Sequence, residues 1–220
     1  MATRIYADRY EAGRALVPAI QRFELKDPIV LGLPRGGVPV AYEVALALQA
    51  PLDTITVRKL GLPWQPELAI GAIASGGVKV LNEELLAELP NLTEGEIDEV
   101  VNREMEELVR REKLYRGDWP HPELAQQDVV LVDDGLATGA TMRAAVEAVL
   151  SQNPSQVLVA VPVGSAEPVR LLEEKVDYVV CLETPSPFFA IGYFYRNFGP
   201  TEDEEVHSLL ADARDSLSAA

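Results

Sequence analysis

The chain has 220 residues, 48% hydrophobic and 25% charged, which is the profile of a globular domain able to bury a core rather than of a disordered or fibrous chain. Nineteen Lys and Arg against 35 Asp and Glu give a net charge of −16, which argues against nucleic acid or an anionic membrane as partner. The lone cysteine, Cys181, excludes an intramolecular disulfide and Cys-based zinc sites, and with no run of about 18 apolar residues a cytoplasmic protein is expected.

In chain order, residues 7–23 carry Ala12, Leu16, Ala19 and Ile20 at helical spacing. Four short apolar runs follow, Ile29–Leu33, Val129–Val132, Val157–Val163 and Tyr178–Leu182. They read as strands covered on both faces, and helices at Val38–Leu48, Thr141–Leu150 and Ser165–Lys175 imply βαβ crossovers. Between the first two runs, Leu52–Val57 reads as a strand, and Ala69–Ala74 and Val78–Leu81 as a hairpin turning at Ser75-Gly76-Gly77. Thr93-Glu94-Gly95-Glu96 fits a capping box opening a helix to about Tyr115, with Glu99–Arg103, Glu106–Arg110 and Glu107–Arg111 spaced for ion pairs. Gly117–Pro122 breaks it, and Glu202–Glu205 suits the start of a last helix. The expected fold is α/β, a mainly parallel central sheet flanked by helices.

The most informative stretch is Val129–Met142: a strand, two acids, a small-residue turn and a helix. Gly139, Ala137 and Ala140 let main-chain N–H groups approach an anion, the helix start adds unpaired donors, and Thr138 and Thr141 add hydroxyls. There is no Lys after the last Gly, as a Walker A loop requires, and no G-x-G-x-x-G. Asp133 and Asp134 can hold vicinal hydroxyls or a divalent cation beside the anion. A phosphate cradle next to a diol clamp describes a site for a ribose 5-phosphate.

Val130–Thr141 resembles the phosphoribosyl diphosphate (PRPP) loop of the type I phosphoribosyltransferases, and Val-Asp-Asp-x-Leu-Ala-Thr-Gly-x-Thr is especially similar to the adenine enzymes. The likeness covers residues 25–200. Leu33-Pro34-Arg35-Gly36-Gly37 and Val57-Arg58-Lys59-Leu60-Gly61 resemble a smaller uncharacterised subgroup. The resemblance implies that Asp133 and Asp134 hold the ribose hydroxyls, that Ala137, Thr138, Gly139, Ala140 and Thr141 cradle the 5-phosphate, and that Arg35, Gly36, Gly37, Arg58 and Lys59 meet the pyrophosphate. Lys59 joins the acidic pair as a catalytic candidate. It further implies a cis peptide at Pro34–Arg35 or its neighbour, and a mobile loop at Gly61–Glu67. Mg²⁺ would come mainly through substrate, with Asp133 and Asp134 as candidate ligands. A single domain over 1–220 would carry a small hood built from about 1–25 and 184–200, with Phe188, Phe189 and Tyr193 as candidates to stack a base; aromatic packing on the core is the plain alternative.

The implied reaction displaces pyrophosphate from C1 of PRPP by a nitrogenous acceptor, a nucleobase or similar. Hypoxanthine–guanine enzymes carry Asp where this chain has Ala137, which argues against a 6-oxopurine. A homodimer is expected. The rival reading is a non-catalytic PRPP or nucleotide sensor. A hydrolase reading lacks the G-x-S-x-G elbow.

Overall fold

The computed structural model describes residues 4–89 and 91–218. Residues 1–3 of the expected hood therefore lie outside the described residues. The elements are α1 (Arg9–Ile20), β1 (Ile29–Gly32), α2 (Gly37–Leu48), β2 (Leu52–Thr54), β3 (Val57–Leu62), β4 (Gln65–Ala74), β5 (Val78–Leu81), α3 (Glu83–Ala87), α4 (Glu94–Arg116), β6 (Asp128–Val132), α5 (Ala140–Leu150), β7 (Gln156–Val163), α6 (Ala166–Glu173), β8 (Tyr178–Glu183) and α7 (Asp203–Ser218).

Five strands form a parallel sheet in the order β2-β1-β6-β7-β8. Its strands are apolar at nearly every position because both faces are covered, and the two-residue period sends alternate side chains to different cores. Val30, Val130, Val132, Leu158 and Ala160 pack with α1, α2 and α7. Ile29, Leu31, Val129, Leu131, Val157 and Val159 pack with α5 and α6. This is the α/β architecture expected from the alternation of apolar runs and helices.

A smaller antiparallel sheet, β3-β4-β5, stands beside it. Leu60, Leu62, Ile70 and Ile73 bury one of its faces against Val100 and Leu108 of α4. The capping box is present, with Thr93 and Glu96 each accepting from the other's backbone amide. Of the three ion pairs expected along α4, Glu107–Arg111 forms; Arg103 pairs instead with Glu104, and Arg110 with Glu107.

Two expectations are corrected. Leu52–Val57 is not one strand: β2 ends at Thr54 in the parallel sheet, and β3 begins at Val57 in the antiparallel one. The junction is pinned, Ile55 N–H donating to the Gly32 carbonyl at 3.1 Å and Thr56 N–H to Ser75 Oγ at 2.8 Å. Gly61–Glu67 is not an open loop. It belongs to the β3–β4 hairpin, with Leu62 paired to Gln65 and a bulge at Gly61. The alternation of Leu60, Leu62 and Ile70 over an apolar helix face outweighed the loop-like Gly and Pro content.

Candidate active site

Parallel strands deliver their C-terminal ends to one edge of the sheet, where an open α/β sheet binds ligands. Here the ends of β1 and β6 meet. Leu33 N–H donates to the Val132 carbonyl at 2.9 Å, so the Pro34–Gly37 turn and the acidic pair leave adjacent strands together. The Pro34–Arg35 peptide is cis. The two glycines are required by close approach. A Cβ on Gly36 would lie 2.1 Å from Asp134 Oδ2, and one on Gly37 would lie 2.7 Å from the Val132 carbonyl oxygen.

After β6 the chain turns through Gly135–Gly139 into α5. Gly139 adopts a left-handed conformation (φ 71°), which only glycine takes at little cost, and it caps the helix. Among the described residues, the amides of Ala137, Thr138, Gly139 and Thr141 have no main-chain acceptor. The turn is thus a cluster of exposed donors at a positive helix end. Leu136 anchors it from below, donating to Val163 and accepting from Ser165 at 2.9 and 2.8 Å. Asp133, Gly135–Met142 and Ile191 line one cavity of about 150 Å³. Asp133, but not Asp134, therefore lines the same cavity as the predicted 5-phosphate loop.

Asp134 is buried and Asp133 half-buried. Burial, then the neighbouring Asp134 charge, pushes the Asp133 carboxyl well above the usual carboxylate range. Burial also raises Asp134, against the lowering effect of Arg9, whose Nε donates to Asp134 Oδ2 at 2.8 Å. The Tyr195 hydroxyl donates to the Asp134 carbonyl at 2.6 Å.

The predicted pyrophosphate residues are dispersed. Arg35 is exposed but lies 3.7 and 3.6 Å from Glu202 and Asp203 at the start of α7. Arg58 donates to Glu104 of α4 at 2.9 Å, on the face of the hairpin turned from α5. Lys59 points the other way, with no ion-pair partner among the described residues. It lines a cavity of about 670 Å³ between the antiparallel sheet and α5, which reaches the phosphate loop at Ala140. Of the aromatic candidates, Phe188 stacks on Phe194 within a small core, while Phe189 and Tyr193 are 75% and 72% exposed with ring centres 6.2 Å apart.

Four residues at the site escaped the sequence reading. Arg9 holds Asp134, Tyr6 pairs with the strap carrying Tyr195, Ile191 walls the cavity, and Arg143 of α5 donates to the Thr138 carbonyl at 3.4 Å. The distance of Arg9 and Tyr6 from the motif in sequence concealed them. Arg143, one turn into the helix that follows the loop, had a positional signal.

A five-stranded parallel sheet flanked by helices, with a small antiparallel sheet beside it, is the type I phosphoribosyltransferase fold. A family model described as a phosphoribosyl transferase domain matches residues 4–196. Two curated Mycobacterium tuberculosis proteins, both provisionally named phosphoribosyl transferases, are 44% identical over 217 residues, covering 99% of this chain and 49% of their own length. The crystal structure of TT1426 from Thermus thermophilus superposes with a TM-score of 0.86 at 42% identity, covering 94% of this chain and 98% of that one. The chain belongs to the type I phosphoribosyltransferase family. It spans about half the length of the curated relatives it matches. No helix among the described residues is long and apolar enough to cross a membrane.

Proposed function

We propose that this chain is a cytoplasmic phosphoribosyltransferase that binds PRPP and transfers its phosphoribosyl group to a nitrogenous acceptor with release of pyrophosphate. The observation that carries this reading is the single cavity shared by Asp133 and the donors of Ala137–Thr141. A 5-phosphate in the cradle puts the ribose hydroxyls toward the acidic pair.

The chemistry asked of the protein is positioning and electrostatic stabilisation of an oxocarbenium-like transition state. The carboxylates stand where positive charge develops on the ribose. Lys59, at the end of the larger cavity that reaches the cradle, is the cation best able to meet the departing pyrophosphate. Arg35 would join it on exchanging its own carboxylate partners for substrate oxygens, whereas Arg58, on the α4 face of the hairpin, is turned from that cavity. The donor set fits Mg²⁺ only as an ion carried by substrate: Asp134 is paired with Arg9, and no cluster of three or more candidate ligands occurs among the described residues. Asp133 is the carboxylate left to face such an ion, which when bound neutralises the leaving group. The hood is assigned to the N-terminal arm and the 184–200 strap. Phe189 and Tyr193 are the exposed rings there that offer a planar acceptor a stacking face.

The test is pyrophosphate release from PRPP and Mg²⁺ across a panel of nucleobases and other nitrogen acceptors. Release dependent on one acceptor supports the transferase. PRPP binding without turnover across the panel replaces it with the sensor reading, which the self-pairing of Arg35 and Arg58 favours. Failure to bind PRPP overturns both.

A further inference from the structure

The two members of the acidic pair have different surroundings. Asp133 lines the cavity with the phosphate loop, and among the described residues the one hydrogen bond at its carboxylate comes from the Asp134 amide, at 2.8 Å. Asp134 is paired with Arg9, and the two side chains are only 11% and 12% exposed. Arg9 is held on its other sides too. Its Nη1 donates to the Gly199 carbonyl at 2.7 Å, and its guanidinium lies 4.0 Å from the centre of the Phe198 ring. Asp134 thereby joins three segments distant in sequence: the end of β6, the start of α1, and the strap at 194–199.

We propose that the pair divides its work: Arg9 is a positioning residue that commits Asp134 to fastening the N-terminal arm and the strap beside the cavity, and Asp133 alone is presented to the ribose hydroxyls. This rests on the ribose-phosphate reading of the site and deepens it.

Several independent contacts support the division. The arm and strap run together, Tyr6 N–H donating to the Phe194 carbonyl at 2.8 Å, Arg196 N–H to the Tyr6 carbonyl at 2.8 Å, and Asn197 N–H to the Ala7 carbonyl at 3.0 Å. Ile191, at the head of the same strap, forms a cavity wall and packs so closely that a Cβ on Gly135 would lie 2.7 Å from it. The strap's position therefore sets the shape of the cavity. A planar guanidinium is well suited to this fastening, because one edge bonds a carboxylate, another a carbonyl, and its face covers an aromatic ring. A buried ion pair of this kind is costly to break from one side, because the partner is left charged and uncompensated. Gly36 lies so close to Asp134 that a Cβ there would clash with the carboxylate.

The experiment compares Asp133→Asn, Asp134→Asn, Arg9→Gln, Arg9→Lys and the Arg9→Gln/Asp134→Asn double variant in the full chain. Two readouts are taken: ribose 5-phosphate affinity by calorimetry, and amide hydrogen exchange at Tyr6, Arg196 and Asn197. Asp133→Asn is expected to lose roughly tenfold or more in affinity, the scale of a charged hydrogen bond, with exchange unchanged. Arg9→Gln and Asp134→Asn are expected to speed exchange at all three amides by about tenfold or more and to weaken binding less than Asp133→Asn does. The double variant should match the worse single one, since both remove one interaction. Arg9→Lys should recover part of the protection by restoring the charge. Asp134→Asn, nearly isosteric, keeps the test open should Arg9→Gln fail to fold.

If Asp134→Asn weakens binding as much as Asp133→Asn with exchange unaltered, both carboxylates serve the ligand and the division is wrong. If neither Arg9→Gln nor Asp134→Asn alters exchange, the fastening role is wrong. If the unaltered protein fails to bind ribose 5-phosphate, the ribose-phosphate reading falls, while the exchange results still decide whether Arg9 holds the strap.

Discussion

The two ends of the site that we propose bind anions are built from different materials. The proposed 5-phosphate end consists of main-chain amides fixed by the turn before α5, with Asp133 as a charged side chain lining the same cavity. The pyrophosphate end depends on long cationic side chains, and two of its three cations are engaged by the protein's own carboxylates, Arg35 by Glu202 and Asp203 and Arg58 by Glu104. In a chain of net charge −16, a flexible cation finds a carboxylate nearby. An amide at a helix start cannot be captured in this way, because its direction is set by the backbone. One end is therefore ready before ligand arrives, and the other must exchange partners to bind.

The comparison can be broken most severely at Gly139. Ala there must take a left-handed φ with its Cβ 2.9 Å from Pro168, at a cost of about 1–2 kcal/mol, and the cradle must distort. Gly139→Ala is expected to reduce ribose 5-phosphate affinity by about a hundredfold, read by calorimetry, because several amide contacts are lost together.

Asp133→Asn comes next, with opposite effects on function and stability. Burial and the neighbouring charge raise the Asp133 carboxyl, so its ionisation opposes folding: the contribution is present at low pH and is lost as pH rises through the raised native value. Asn removes that penalty. The variant should melt several degrees higher than the parent at pH 7 in the absence of ligand, with the gap closing as pH falls toward 4. An unchanged or lower melting temperature at pH 7 would show that Asp133 is not under this strain.

At the pyrophosphate end the effects are smaller and of opposite sign. Glu202→Gln with Asp203→Asn frees Arg35 and should tighten pyrophosphate binding by about twofold, while Glu104→Gln frees Arg58 only on the α4 face of the hairpin and should leave it unchanged. Ribose 5-phosphate affinity should not change in either variant. Equal gains at both ends would mean that the whole acidic field, rather than particular pairs, governs binding.

The parallel core was readable because burial on both faces leaves a nearly continuous apolar strand, which is visible without knowing the neighbours. The turn before α5 was readable for a related reason: its small residues, its acids and its helix start are contiguous in sequence. The β3–β4 hairpin was not. Pro63, Trp64 and Pro66 look like a loop, and only the burial of Leu60, Leu62 and Ile70 over α4 makes strands of the flanking residues. Arg9 was hidden for a different reason. Its partner lies 125 residues away, and nothing local distinguishes it from any other cation early in a helix.

That hairpin bears on what a ligand in the larger cavity would have to order. A disordered segment that folds over a ligand loses about 1–2 kcal/mol of backbone entropy for each residue it orders. Gly61, Leu62 and Gln65 are already paired, Leu62 is backed by α4, and the hairpin joins the parallel sheet through the short, hydrogen-bonded junction at Ile55–Thr56. Lys59 therefore sits on a strand that is formed without ligand. A ligand that reaches it from the cavity meets a backbone with little ordering entropy left to lose.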